Sequence, residues 1–249
     1  MLLDFSKEKF DVVIQAGQSN SQGCGLGPAE EPFTPSGDIW YLNNNFTISM
    51  AQEDVVGNEI VTNFSLSFAT EYVKKGRLCD GRKLLIVRAG IGGTGFADKR
   101  WGMEDDLFLT MMEMIKTALA LNPENRLVAF LWHQGETDAG FGSTYETHYD
   151  NLKKLIDAVR GTFGRGGLPF IAADFVNHWK SANIEICEPI IQAIKDICAD
   201  VGNASFIGTD ELQSNDQRVG NCDTIHFCRE AQNLLGKKYY AAFESLALG

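Results

Sequence analysis

Four short blocks hold residue types that together suit acyl transfer. The first is Gly17-Gln18-Ser19-Asn20, which follows the apolar run Val12-Val13-Ile14. A strand fixes the backbone there, and a glycine turn presents the serine hydroxyl. Serine is a weak nucleophile until a base takes its proton. Of the four histidines, His133, His148, His178 and His226, the last has Asp223 three residues before it. On a turn, that spacing lets the carboxylate approach Nδ1–H and leaves Nε2 free to accept the serine proton, in the chain order Ser, Asp, His. Acyl transfer also needs donors for a developing oxyanion. Gly92 and Gly93 offer backbone N–H groups, Ser19 offers its own, and Gln134 offers a side-chain amide. Each feature has a plainer reading: serines cap helices, glycines serve tight turns, and glutamines tie loops together.

The blocks Gly17-Gln18-Ser19-Asn20, Gly92-Gly93-Thr94 with Trp101 soon after, Trp132-His133-Gln134-Gly135-Glu136-Thr137-Asp138 and Asp223-Thr224-Ile225-His226-Phe227 together resemble those of the SGNH-hydrolase superfamily. More narrowly they are similar to the sialate O-acetylesterase-like and family-six carbohydrate esterases, which include acetylxylan esterases. The blocks run from residue 17 to residue 227, most of the chain. The resemblance implies a three-layer, flavodoxin-like α/β fold and removal of O-acetyl groups from carbohydrate, either acetylated xylan or oligosaccharide or a sialic acid. It implies Ser19 as nucleophile and His226 as base. It implies an oxyanion hole from Ser19, a glycine of the Gly92-Gly93 pair, and Gln134. Two departures stand out. Gln134 occupies a position where the superfamily has asparagine, which lengthens the reach of the amide. The orienting acid is open: Asp223 is favoured by its built-in proximity, and Glu136 is the alternative.

Further contacts to substrate are candidates only. Gln18, Asn20 and His133 flank the blocks, and Trp101, Trp40 or Phe96 could stack on a sugar ring. Arg88 or Arg100 could hold the carboxylate of a sialic acid. The plainer readings are core packing for the aromatics and a structural ion pair for Arg88.

The elements that must position these residues alternate between strand and helix. Phe10 to Ala16, Lys83 to Ala89, Leu127 to Trp132, Pro169 to Phe175 and Ser205 to Gly208 read as buried strands. Phe64 to Lys75, Glu104 to Leu121, Tyr145 to Arg160, Ser181 to Asp200 with a break at Pro189, and Arg229 to Leu246 read as helices. Ser21 to Asn45 reads as a surface loop containing a short strand at Asp38–Leu42, and Asn215 to Phe227 as a loop. This alternation predicts a parallel sheet of about five strands with helices on both faces, in one domain over residues 1–249. Ligands in such folds bind at the carboxyl ends of the strands, where Ser19, Gly92-Gly93 and the His133–Glu136 block should converge.

Composition narrows the alternatives. A net charge of −11 argues against nucleic acid or an anionic membrane as partner. The six cysteines show no CxxC spacing, so free thiols are expected rather than zinc. Gly90-Ile91-Gly92-Gly93-Thr94-Gly95 formally matches GxGxxG, but the next helix begins too late and no acid follows at the required distance, so no nucleotide cofactor is expected. No metal-ligand spacing such as HExxH occurs. A non-catalytic carbohydrate-binding relative would have no chemical need of Ser19, Asp223 and His226 together. A lipase or thioesterase of the same superfamily is the remaining rival. No signal peptide is visible, so the chain as written reads as cytoplasmic; a leader removed ahead of residue 1 would make it secreted.

Overall fold

β1, Phe10–Gly17, is buried along its whole length and forms the centre of the sheet. It pairs in parallel with β6, Lys83–Arg88, on one side and with β7, Arg126–His133, on the other. β8, Phe170–Ala173, and β9, Ala204–Ile207, extend the sheet beyond β7. β2, Ile39–Leu42, extends it beyond β6, and β3, Ile48–Met50, closes that edge antiparallel. The coordinates are a computed structural model that describes residues 4–79 and 81–248.

The sheet order is β3-β2-β6-β1-β7-β8-β9. Its β6-β1-β7-β8-β9 portion has the 2-1-3-4-5 order of a flavodoxin-like fold. The five expected strands are all there, with β2 and β3 added at one edge. A separate hairpin, β4 (Asp54–Val56) and β5 (Glu59–Val61), lies between β3 and α2, where sequence periodicity assigns no element. Three-residue, half-exposed strands carry too little pattern to be seen.

Helices cover both faces. α2, Phe64–Lys74, and α9, Arg229–Leu248, pack over one. α3 (Asp106–Ala120), α5 (Tyr145–Thr162) and α7 (Ile184–Asp200) pack over the other. β1 feeds both cores by simple alternation: Val12 and Ile14 join the α3/α5/α7 side, Val13 the α2/α9 side. α7 continues through Pro189, which lies in its second turn and forfeits one N–H. The expected start at Ser181 belongs to a separate helix, α6, Asn177–Ala182.

At the amino end of β1, Asp11 is fully buried. Arg82 Nε and Arg126 Nε each donate to its Oδ1 at 2.7 Å, and the Tyr72 hydroxyl donates to Oδ2 at 2.8 Å. This cluster ties β1, the start of β6, β7 and α2 together, at the end of the sheet opposite the site described next. All six cysteines are unpaired, with Cys79 and Cys222 exposed. Among the described residues, no helix is long and apolar enough to cross a membrane.

Candidate active site

β1 ends at Gly17, where the chain turns against β7. Gly17 has φ of 124°, and a Cβ there would lie 2.1 Å from the His133 carbonyl oxygen. No other residue fits this crossing. The Gln18 N–H donates to that same carbonyl at 2.9 Å, and α1, Ser19–Gln22, begins one residue on. Ser19 is thereby held at the carboxyl edge of the sheet, 8% exposed. It lines a cavity of about 670 Å³ together with Gly92, Gly93, Cys24, Ile225 and His226.

His226 is placed by a short helix that has no readable periodicity, α8, Asn215–Val219. Ser214 and Gln217 form a capping box: Ser214 Oγ accepts from the Gln217 N–H at 3.1 Å, and Gln217 Oε1 accepts from the Ser214 N–H at 2.8 Å. The Asn215 and Asp216 N–H groups then donate to the carbonyls of His226 and Asp223, both at 2.8 Å. The loop between is clamped onto the helix start.

His226 Nδ1 lies 2.9 Å from both carboxylate oxygens of Asp223. Asn215 Nδ2 also donates to Asp223, at 2.8 Å. Burial alone would raise the Asp223 pKa; the hydrogen bonds from Asn215 and His226 outweigh it and hold the carboxyl below its ordinary value. An ionised carboxylate can only accept, so Nδ1 carries the proton and Nε2 is the nitrogen left for the cavity.

Glu136 is engaged elsewhere. It opens α4, Glu136–Gly140, and is buried. Its Oε1 accepts from Asn20 Nδ2 at 2.9 Å and stands 3.4 Å from His133 Nε2. Asn20 also donates to the Ile225 carbonyl at 3.1 Å and accepts the Phe227 N–H at 3.1 Å. Asn20 and Glu136 therefore brace the serine turn, the end of β7 and the histidine loop against one another. Burial pushes the Glu136 pKa up, but hydrogen bonding and charge from His133, with Asn20 adding to them, bring it below the usual range.

The expected oxyanion donors separate. The Ser19 and Gly93 N–H groups have no hydrogen-bond acceptor among the described residues. The Gly92 N–H is taken by Gln22 Oε1 at 2.7 Å. Gln134 is absent from the cavity wall: its Nε2 donates to Asp138 Oδ2 at 2.7 Å, and the side chain is 1% exposed. A charged acceptor beside it captures the amide that the longer side chain was expected to extend. Asp138 also accepts the N–H groups of Phe96 and Ala97, so the Gln134–Asp138 pair anchors the glycine loop instead.

Most of the candidate substrate contacts lie outside the lining of the cavity that holds Ser19. Trp101 is fully buried, donates to Thr94 Oγ1 at 3.0 Å and packs edge-on against Trp132. His133 is buried beside Phe227, and Trp40 and Phe96 belong to the core. Asn20 is a strut. Gln18 lines the cavity, but its Oε1 accepts from the Thr137 N–H at 3.0 Å. Arg100 pairs with Asp106 on the surface. Arg88 pairs with Asp54 at 2.5 Å and lies over the Tyr41 ring, outside the lining of the cavity that holds Ser19.

Residues that sequence reading missed complete the cavity. Asn215 orients Asp223, and the capping-box spacing of Ser214 and Gln217 is the signal that would have exposed its helix. Phe141, 67% exposed, and Trp179 form an aromatic wall, for which sequence offered no signal beyond residue type. The Cys24 thiol also faces the cavity. Burial, with the charges of Asp223 and Glu136, pushes its pKa up to about 11, so it stays protonated and is no rival to Ser19.

Residues 9–245 match the carbohydrate esterase family of sialic acid-specific acetylesterases. The chain belongs to that family. It is 33% identical over 61 residues to a probable 9-O-acetyl-N-acetylneuraminic acid deacetylase of Escherichia coli K12, a stretch covering 24% of this chain and 18% of that relative. The structure of NanS is similar over 97% of this chain and 98% of its own, with TM-score 0.78 and 17% identity. An Arabidopsis thaliana protein is similar over 94% and 98%, with TM-score 0.72 and 19% identity. Both structures share the α/β fold of this chain.

Proposed function

We propose that this chain is a serine esterase that removes O-acetyl groups from sialic acid through an acetyl-enzyme. The observation that carries the mechanism is His226, on the wall of the cavity that holds Ser19, with Asp223 hydrogen-bonded behind it at Nδ1. The family and the curated relative favour sialic acid over acetylated xylan as the substrate.

Ser19 Oγ attacks the acetyl carbonyl carbon while His226 Nε2 takes the hydroxyl proton. Asp223 stabilises the imidazolium that results. The tetrahedral oxyanion is held by the Ser19 and Gly93 N–H groups. Collapse breaks the bond to the sugar oxygen, and His226 returns its proton to the departing hydroxyl. Water then attacks the acetyl carbon while His226 takes its proton; collapse breaks the bond to Ser19 Oγ, His226 returns the proton to Oγ, and acetate leaves.

The test is hydrolysis of 4-nitrophenyl acetate and of 9-O-acetylated sialic acid by wild type, Ser19→Ala, Asp223→Asn and Glu136→Gln. Ser19→Ala should lose on the order of 10³-fold or more, and Asp223→Asn a comparable factor. Glu136→Gln should lose much less in kcat. Wild-type activity in Ser19→Ala sinks the serine mechanism. A larger loss in Glu136→Gln than in Asp223→Asn reverses the acid assignment. Acetylated xylan hydrolysed faster than acetylated sialic acid sinks the substrate assignment.

A further inference from the structure

Beside the catalytic cavity lies a second, smaller one of about 230 Å³, lined by Gln15, Gln22, Asn43, Asn44, Asp54 and Arg88, with Gly90 at its floor. Every side chain on its wall is polar. The catalytic cavity, by contrast, has Phe141, Trp179 and Ile225 on its wall. Gln22 lines both, and its Oε1 is fixed by the Gly92 N–H, which turns its amide nitrogen into a free donor at the boundary. The second cavity sits at the carboxyl ends of β2 and β6, with Asp54 supplied by the β4–β5 hairpin. The added elements supply Asn43, Asn44 and Asp54, and the core supplies Gln15, Gln22 and Arg88.

We propose that this cavity is a subsite for the uncharged hydroxyl-bearing part of the substrate, whose acetyl group lies at Ser19. The inference rests on the esterase reading. Its argument is charge and valence. Arg88 is held on three sides, by Asp54, by the Gln22 carbonyl at 3.3 Å and by the Tyr41 ring. Its charge is therefore matched before any ligand arrives, and an anionic carboxylate would have to compete with Asp54 for it. Hydroxyls face no such competition. Asp54 offers spare lone pairs, while the Gln22 amide nitrogen, Asn43 Oδ1 and the Asn44 side chain have no partner among the described residues. A hydroxyl donates and accepts at one atom, which suits this mixture of acceptors and amide donors.

Asp54→Asn tests the assignment by its sign. Asp54 is 40% exposed at its side chain, and the variant keeps its size. With 9-O-acetylated sialic acid, loss of a charged acceptor for hydroxyls should lower kcat/KM by on the order of tenfold, mostly through KM. An anion clamp at Arg88 predicts the opposite, because removing the competing carboxylate would strengthen it. Asn44→Ala, at an exposed side chain with no role in the fold, should also raise KM. Neither variant should alter turnover of 4-nitrophenyl acetate, which has no hydroxyls to place. An increase in kcat/KM for Asp54→Asn, or equal losses on both esters, overturns the subsite. Absence of activity in the wild type toward either ester instead defeats the esterase reading itself, which keeps the two failures apart.

Discussion

At the scale of single residues, Asn20 joins the halves of the site. Its side chain donates to Glu136 and to the Ile225 carbonyl, and accepts from Phe227, with the first and last bonds buried and the second partly so. Asn20→Ala would leave a buried carboxylate and two backbone groups short of a partner, each costing ~1–3 kcal/mol. The variant should lose several kcal/mol in chemical denaturation and fall in kcat, because the serine turn and the histidine loop lose their common brace. Wild-type stability together with wild-type kcat would show that the brace is dispensable. The same contrast explains what could be read from the string of residues. Asp223 and His226 are three apart, so their contact is local and visible in the spacing. Trp101 sits in the right block, but its burial depends on Trp132, which only the folded sheet brings close; Gln134 meets Asp138 only four residues on, yet spacing alone does not show that its amide turns to that carboxylate instead of the cavity. Asp54 and Arg88 are 34 residues apart, and nothing local announces their pairing.

At the scale of elements, α9 lies against α2 at unusually short range. A Cβ on Gly236 would stand 2.1 Å from the Phe64 carbonyl oxygen and 2.7 Å from the Ser67 Cβ. In an isolated helix, Gly→Ala gains about 1 kcal/mol. Here the backbone oxygen cannot move aside without shifting α2, whose N-cap, Asn63, bonds the Ser65 N–H and the Tyr41 hydroxyl. Gly236→Ala should therefore destabilise the protein despite its helix propensity, by roughly 1–3 kcal/mol, the usual cost of overpacking. A raised Tm would refute the contact. The long helices were legible because burial on one face writes a period into ten or more residues, and the central strands because burial on both faces writes a continuous apolar run. The elements that shape the site were not. α1, α4 and α8 have four or five residues each, and the β4–β5 hairpin has three per strand. Their signals are caps, turns and tertiary hydrogen bonds. This is why the sheet was readable while the conformation of the loops carrying the chemistry was mostly not.

At the scale of the whole molecule, the two ends of the sheet divide stability and chemistry. The carboxyl end leaves Ser19, His226 and two N–H groups in a cavity. The amino end closes on Asp11, where charges are matched. Burial by itself would raise the Asp11 pKa, and the hydrogen bonds from Arg126, Tyr72 and Arg82 more than offset this, leaving it below its ordinary value. The unfolded chain therefore binds that proton first as the pH drops. The stabilisation from this carboxylate is complete above the unfolded pKa of about 3.9 and is lost as the pH falls through the lower folded value. Asp11→Asn keeps the shape but leaves the largely buried Arg82 without its counter-charge, which should cost ~3–5 kcal/mol at neutral pH. Below pH ~4 the wild type loses the same interaction, so the gap between the two proteins should narrow. Urea denaturation at pH 7 and at pH 3 measures it. A gap that stays constant between the two would mean that Asp11 titrates alike in both states and that the arginine cluster carries no part of the acid sensitivity. Activity offers an independent reading: at neutral pH and well below the unfolding midpoint in urea, Asp11→Asn should retain the wild-type kcat, because its damage lies at the far end of β1 from Ser19.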